Sequence, residues 1–417
     1  MRAILGVALA LLAVSPAAAK SWHLTTLHNF CTVGSCADGS FPSSGLVRDA
    51  QGNFYGVTQT GGSHNNGVVF RLKRKAGSYV FEMLHHFCGA CGEANGPVGE
   101  LIVDASGNLY GTALGGGAHN CGTVFELIKP KWKLKTLHSF CGNAKDGEDP
   151  IAALSYAGKA GGALYDGVSP LYGTTSRGGA HSMGVAFKLA RDGNRWKESV
   201  LYTFCSVAQC ADGAQPSGAL LVDDAGNLFG NAFLGGTHGG GVTFKLTGKE
   251  ESVLYSFCVE EDCPDGMGPT GNLVMDGDGA ILGTTMSGNG ETGVLFKLTP
   301  EGDTWQQSVL HTFCSPPDCA DGYQPDGGLI ADGKGNLFGI DQLGGLGEAG
   351  VGGGTAFQYK NGGIVPIYQF CSEDGCADGR VPTGAPVMDS HGDLFGVASQ
   401  GGPTTAAGTI YRLSRRP

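Results

Sequence analysis

Seven copies of one phrase run the length of this chain. Each opens on Phe-Cys and passes an acidic residue and a proline. It then spells a variant of Asp-x-x-Gly-Asn-Leu-Tyr-Gly, a Gly-Gly and a closing Gly-Thr-Val-Phe. The Phe-Cys pairs stand at Phe30-Cys31, Phe87-Cys88, Phe140-Cys141, Phe204-Cys205, Phe257-Cys258, Phe313-Cys314 and Phe370-Cys371, so successive cysteines lie 57, 53, 64, 53, 56 and 57 residues apart. A regular period of this size marks supersecondary units that cannot bury an apolar face alone and must stack on their neighbours.

Within a repeat four short strand signals recur; in the sixth they cover 308–313, 328–332, 336–339 and 355–359. Each is β-rich and bounded by Gly, Asp or Pro. No long helical period intervenes, and 74 glycines disfavour helix. The expected fold is all-β: a single seven-bladed β-propeller with four strands per blade. The first repeat begins with a strand of the last type in a blade, and the final repeat stops at the third type, at Gly408 to Leu413. The N-terminal strand is therefore expected to complete the C-terminal blade and pair both free edges. The Asp-x-x-Gly turn, as at Asp104 and Gly107, joins the first two strands, with glycine taking a positive φ. In repeat three residues 159–170 replace that turn by a longer loop. A glycine inside every second strand, from Gly56 to Gly396, predicts a close approach of blade against blade.

Residues 1–19 have the character of a secretory signal: Arg2, an apolar run from Ile4 to Val14, and Ala17-Ala18-Ala19 as cleavage site. The propeller domain then spans 20–417. No later segment approaches the roughly 20 apolar residues of a membrane span. Without the leader the chain holds 26 basic and 38 acidic residues, a balance that argues against nucleic acid and anionic membranes as partners. Fourteen cysteines in an exported chain point to disulfides. Six local clips are expected: Cys31–Cys36, Cys88–Cys91, Cys205–Cys210, Cys258–Cys263, Cys314–Cys319 and Cys371–Cys376. The two cysteines left over lie equidistant from a turn near Lys131, which places them opposite each other in a hairpin and predicts Cys121–Cys141.

Two sets of residues could carry chemistry. An acidic residue stands four positions before a proline in all seven repeats: Asp38, Glu93, Asp146, Asp212, Asp265, Asp321 and Asp378. In a closed ring these carboxylates share one face, where they would serve as turn formers or hold a divalent cation such as Ca²⁺. Gly-Gly-x-His occurs in repeats one to four only, giving His64, His119, His181 and His238. Those imidazoles belong to the loops between second and third strands, on the same face, and would suit metal ligation or proton transfer. A second histidine set, His28, His85, His138 and His311, alternates with Tyr202, Tyr255 and Tyr368 and reads as a half-exposed structural position. No nucleophile elbow, zincin helix, phosphate loop or dinucleotide fingerprint is present.

The run Gly107-Asn108-Leu109-Tyr110-Gly111-Thr112, continued by Gly122-Thr123-Val124-Phe125-Glu126-Leu127, resembles the GloVer repeats of bacterial choice-of-anchor tandem-repeat proteins, as does Leu171-Tyr172-Gly173-Thr174-Thr175. The resemblance covers essentially the whole mature chain and implies an exported propeller; it brings no activity with it. Members often end in a sorting segment, whereas this chain closes on Leu413-Ser414-Arg415-Arg416-Pro417 without an apolar tail, so a soluble, periplasmic or extracellular monomer is expected. The leading functional reading is a non-catalytic binding or scaffold module for an extracellular glycan, a surface partner or a cation. The alternatives are a metal-assisted hydrolase or lyase acting on a polysaccharide or lactone, and a structural envelope component.

Overall fold

The computed structural model describes residues 21–288, 292–314, 319–345, 352–403 and 407–415; residues 1–19, read above as a secretory signal, lie outside them. Among the described residues seven antiparallel blades stand around one axis as a propeller, the third of them split into a two-stranded and a three-stranded sheet. Blade 2 shows the pattern: Ala94–Val103 inside, then Leu109–Gly116, Thr123–Ile128 and, outermost, Lys133–Ser139. The ring closes as expected. His23–Asn29 forms the outer strand of blade 7, with His23 opposite Ser414 and Asn29 opposite Thr409. Closure pairs an edge that would otherwise template aggregation.

The blades are joined by two repeated contacts. Each Phe of a Phe-Cys pair is buried and packs on the aromatic ring of the third strand in the next blade. The pairs run from Phe30–Phe70 and Phe87–Phe125 to Phe370–Tyr411, with centroids 4.9 to 5.3 Å apart. The second-strand glycine makes room for that same ring. A Cβ on Gly111 would lie 2.7 Å from both Phe125 and Leu101, and one on Gly283 would lie 2.6 Å from Phe296. The approach is therefore side chain against backbone within one blade, not blade against blade as the spacing suggested.

The second contact is a latch. Each proline of the acidic-proline motif rests on the glycine that opens the third strand of the preceding blade: Pro97 on Gly67, Pro216 on Gly184, Pro269 on Gly241 and Pro42 on Gly408. The residue just before the proline donates its N–H across the same seam, Phe41 to Ala407 O and Gln215 to Met183 O, both at 2.9 Å.

Blade 3 departs from the four-stranded pattern. Its inner strand is reduced to Gly147–Glu148 and a bridge between Ser155 and Tyr172. The long loop that follows folds back on blade 2, where Tyr165 is fully buried against Tyr110, with ring centroids 5.2 Å apart. All seven disulfides are formed as expected. Cys121 and Cys141 sit with Cα atoms 5.9 Å apart. A bulge between Thr136 and His138 shifts the hairpin register by one, which brings the two cysteines opposite each other.

Candidate binding face

The loops that follow the outer strands carry the disulfide clips. The first cysteine of most clips takes a left-handed backbone, with φ of 59° at Cys31 and 62° at Cys205. That conformation turns the next two N–H groups toward one point, a small anion-binding concavity. The chain's own carboxylate fills it. Asp38 accepts from Thr32 N at 3.1 Å and Val33 N at 3.2 Å; Asp212 accepts from Ser206 N at 2.8 Å and Val207 N at 3.2 Å. Asp378 does the same with Ser372 and Glu373, and Asp265 with Val259.

The other side of each carboxylate meets the His or Tyr set aside above as structural. Tyr202 donates to Asp212 at 2.8 Å, Tyr255 to Asp265 at 2.9 Å and Tyr368 to Asp378 at 2.8 Å. His311 bonds Asp321 at 2.8 Å and His138 bonds Asp146 at 3.2 Å. His28 Nε2 lies 3.3 Å from Asp38, and His85 Nε2 lies 3.6 Å from Glu93. Burial pulls His28 and His85 below the ordinary imidazole value despite these carboxylates. For Asp146 the balance goes the other way: burial raises it, but His138 and the Gly142 and Gly147 amides outweigh that and hold it low. Six of the seven carboxylates are buried, and Glu93 is half-buried. The motif thus ties each clip loop to its own outer strand. His and Tyr alternate freely at the partner position because both can present a hydrogen to a carboxylate.

At several junctions a third residue, from the outer strand of the next blade, backs the tie. Phe81 stacks on His28 with centroids 3.7 Å apart, and Gln307 donates to Asp265 O at 3.2 Å. At two junctions this residue is Glu198 or Glu251, and burial pushes both carboxyls up to about 7.

The loops between second and third strands lie over the clips, where Gly62, Gly236 and Gly402 donate to Cys36, Cys210 and Cys376 carbonyls at 2.9 Å. His64, His119, His181 and His238 stand exposed on them, one to a blade in blades 1 to 4. The two predicted sets therefore share a face, but the described residues show no cluster of three ligating groups that joins them.

What the sequence did not single out is the rim of the axial funnel on this face. The residue before each latch proline adopts a left-handed backbone in all seven blades. Only Gly96 and Gly268 are glycine; Phe41, Asp149, Gln215, Gln324 and Val381 hold φ between 53° and 56°. Such a backbone costs a non-glycine residue about 1–2 kcal/mol, most for bulky or β-branched ones. Phe41 is 45% exposed and Ile151, two positions beyond Asp149, 41% exposed. Inside the rim lies a space of about 300 Å³ bordered by Ser43, Ser217, Thr270, Thr383, Asn272 and Asp326. Hydroxyls there clasp the next blade, Ser217 to Pro269 O at 3.1 Å and Thr270 to Asp326 at 2.7 Å. Beyond a waist of small residues the channel opens into a second space of about 440 Å³ toward the opposite face. Its walls include Val222, Met275 and Met388, and Lys159 and Glu100 lie 3.7 Å apart beside it.

The Gloeobacter/Verrucomicrobia repeat model matches residues 13–169, 95–287, 159–351 and 250–416. The chain belongs to this repeat family. No curated protein matches it. Among solved structures, this Gloeobacter/Verrucomicrobia repeat protein is similar to a protein from Bacteroides uniformis provisionally assigned as a 6-phosphogluconolactonase. The identity is 14%, with a TM-score of 0.48 over 85% of this chain and 90% of that one. TolB from Acinetobacter baumannii is also similar, at 14% identity and a TM-score of 0.37 over 63% of this chain and 54% of that one.

Proposed function

We propose that this repeat protein is an exported, non-catalytic binding module whose ligand, an extracellular glycan, is taken at the funnel of the disulfide face. One observation carries the reading: seven equivalent residues hold the same left-handed backbone around the funnel, and five keep side chains that the conformation disfavours. Strain maintained at a rim points to what the rim presents. The presented groups are chemically mixed. Phe41 offers an apolar face for a sugar ring, Gln215 and Gln324 offer amides, and Asp149 pairs with Arg177 at 3.6 Å. Below them the wall is hydroxyl, amide and carboxylate, a lining suited to a polyhydroxylated ligand. The leader-like character of residues 1–19 and the seven disulfides support export. The acidic motif and its His or Tyr partners are committed to holding loops, which favours binding over catalysis.

A glycan array probed with the purified protein tests the proposal. Binding to a restricted set of oligosaccharides is expected, with Phe41→Ala weakening the strongest of them at least about tenfold, or about 1.4 kcal/mol. Unchanged binding by Phe41→Ala and Asp326→Asn together would rule out the funnel as the binding site.

A further inference from the structure

We propose that His138, Asp146 and Glu198 form a binding site for one first-row divalent metal ion, zinc by its ligand set, at the junction of blades 2 and 3. The ligating atoms of the three side chains all lie within 4.8 Å of one another. His138 Nε2 and Asp146 Oδ1 are 3.2 Å apart, an edge that bonds of about 2.0–2.2 Å to a common ion span. Glu198 Oε1 is buried and accepts no hydrogen bond, although an unmet carboxylate oxygen is costly beside a second carboxylate. One imidazole with two carboxylates is a borderline donor set that suits zinc better than calcium, which prefers oxygen throughout.

The supporting groups are those of a metal site. The Gly142 and Gly147 amides hold Asp146 at 2.9 and 2.8 Å, and Phe140 meets the His138 ring edge-on at 4.7 Å; such partners orient ligands. His138 keeps 19% of its side chain exposed, which leaves a path for the ion and room for water as a further ligand.

The combination belongs to this junction alone among the described clusters. The residues aligned with Glu198 elsewhere are Leu24, Phe81, Leu134, Glu251, Gln307 and Ile364, and Glu251 lies near Tyr202 rather than a histidine. The junction also has most need of a staple. Blade 3 has lost most of its inner strand, and Cys141 is bonded to Cys121 across the hairpin, so the 141–147 loop has no clip of its own.

Protein freed of metal by chelation and titrated with ZnCl₂ in a calorimeter is expected to bind one equivalent and to show a higher melting temperature when loaded. Glu198→Gln should weaken that binding at least about tenfold. His138→Tyr, which installs the residue used at this position in three other blades and so should fold, is expected to do the same. Glu251→Gln should leave it unchanged. Absence of stoichiometric binding, preference for Ca²⁺ over Zn²⁺, or one equivalent retained by both Glu198→Gln and His138→Tyr would each overturn the site, the last assigning the ion to the exposed histidines.

Discussion

Glu251 gives the sharpest test of the electrostatics. It stands on the outer strand of blade 4, its Oε1 buried without a hydrogen bond, against the Asp212 tie of blade 3. Burial first, and Asp212 second, raise its carboxyl from 4.5 to about 7. The folded state therefore holds a proton that the unfolded state has released. Stability is unaffected below about pH 4.5, falls as pH rises through the window to about 7, and stays reduced above it. A shift of about 2.5 pH units corresponds to about 3.4 kcal/mol at 1.36 kcal/mol per unit; halving it for the solvent that reaches a half-buried group leaves about 1.5–2 kcal/mol. Glu251→Gln removes the charge and keeps the shape. Urea denaturation with disulfides intact should show little difference from the parent protein at pH 4 and a gain of about 1.5–2 kcal/mol at pH 8. A gain independent of pH, or a loss at pH 8, would show that burial does not hold a proton on Glu251.

Two further outcomes follow from covalent and backbone geometry. Replacing Cys121 and Cys141 together by serine opens a loop of 20 residues' separation and should cost about 3 kcal/mol, against about 2 kcal/mol for any single clip, as read by denaturant titration. Gln215→Gly should raise stability by about 1 kcal/mol, since the left-handed backbone no longer carries a Cβ; a loss of stability would show that the rim is not strained.

The repeat told most of the architecture because its punctuation recurs at a fixed spacing. Phe-Cys, Asp-x-x-Gly and the acidic-proline pair mark the same points in every blade, and the offset of the end strands announced ring closure. Cys121 and Cys141 were paired by counting from a turn. What stayed hidden depends on contacts that form only when strands and loops meet in space. The alternation of His138 with Tyr202 was visible, but its reason, a carboxylate eight to ten residues on, appears only when the loop folds back. Gly111 was marked as a close approach, yet the intruder is Phe125 of the neighbouring strand. The left-handed rim could not be read at Phe41 or Val381, because nothing in those residue types asks for positive φ. Glu198 carries no motif at all; its position opposite His138 and Asp146 is a product of two blades meeting.

Hydrogen–deuterium exchange reads directly whether the funnel on the disulfide face takes the ligand. With the strongest-binding oligosaccharide from the array added at saturation, slowed exchange is expected in 40–45, 149–153, 215–219, 268–272 and 324–328, the segments that carry the rim and its wall. Protection confined to the Asp-x-x-Gly turns of the opposite face, or to the outer strands, would contradict it.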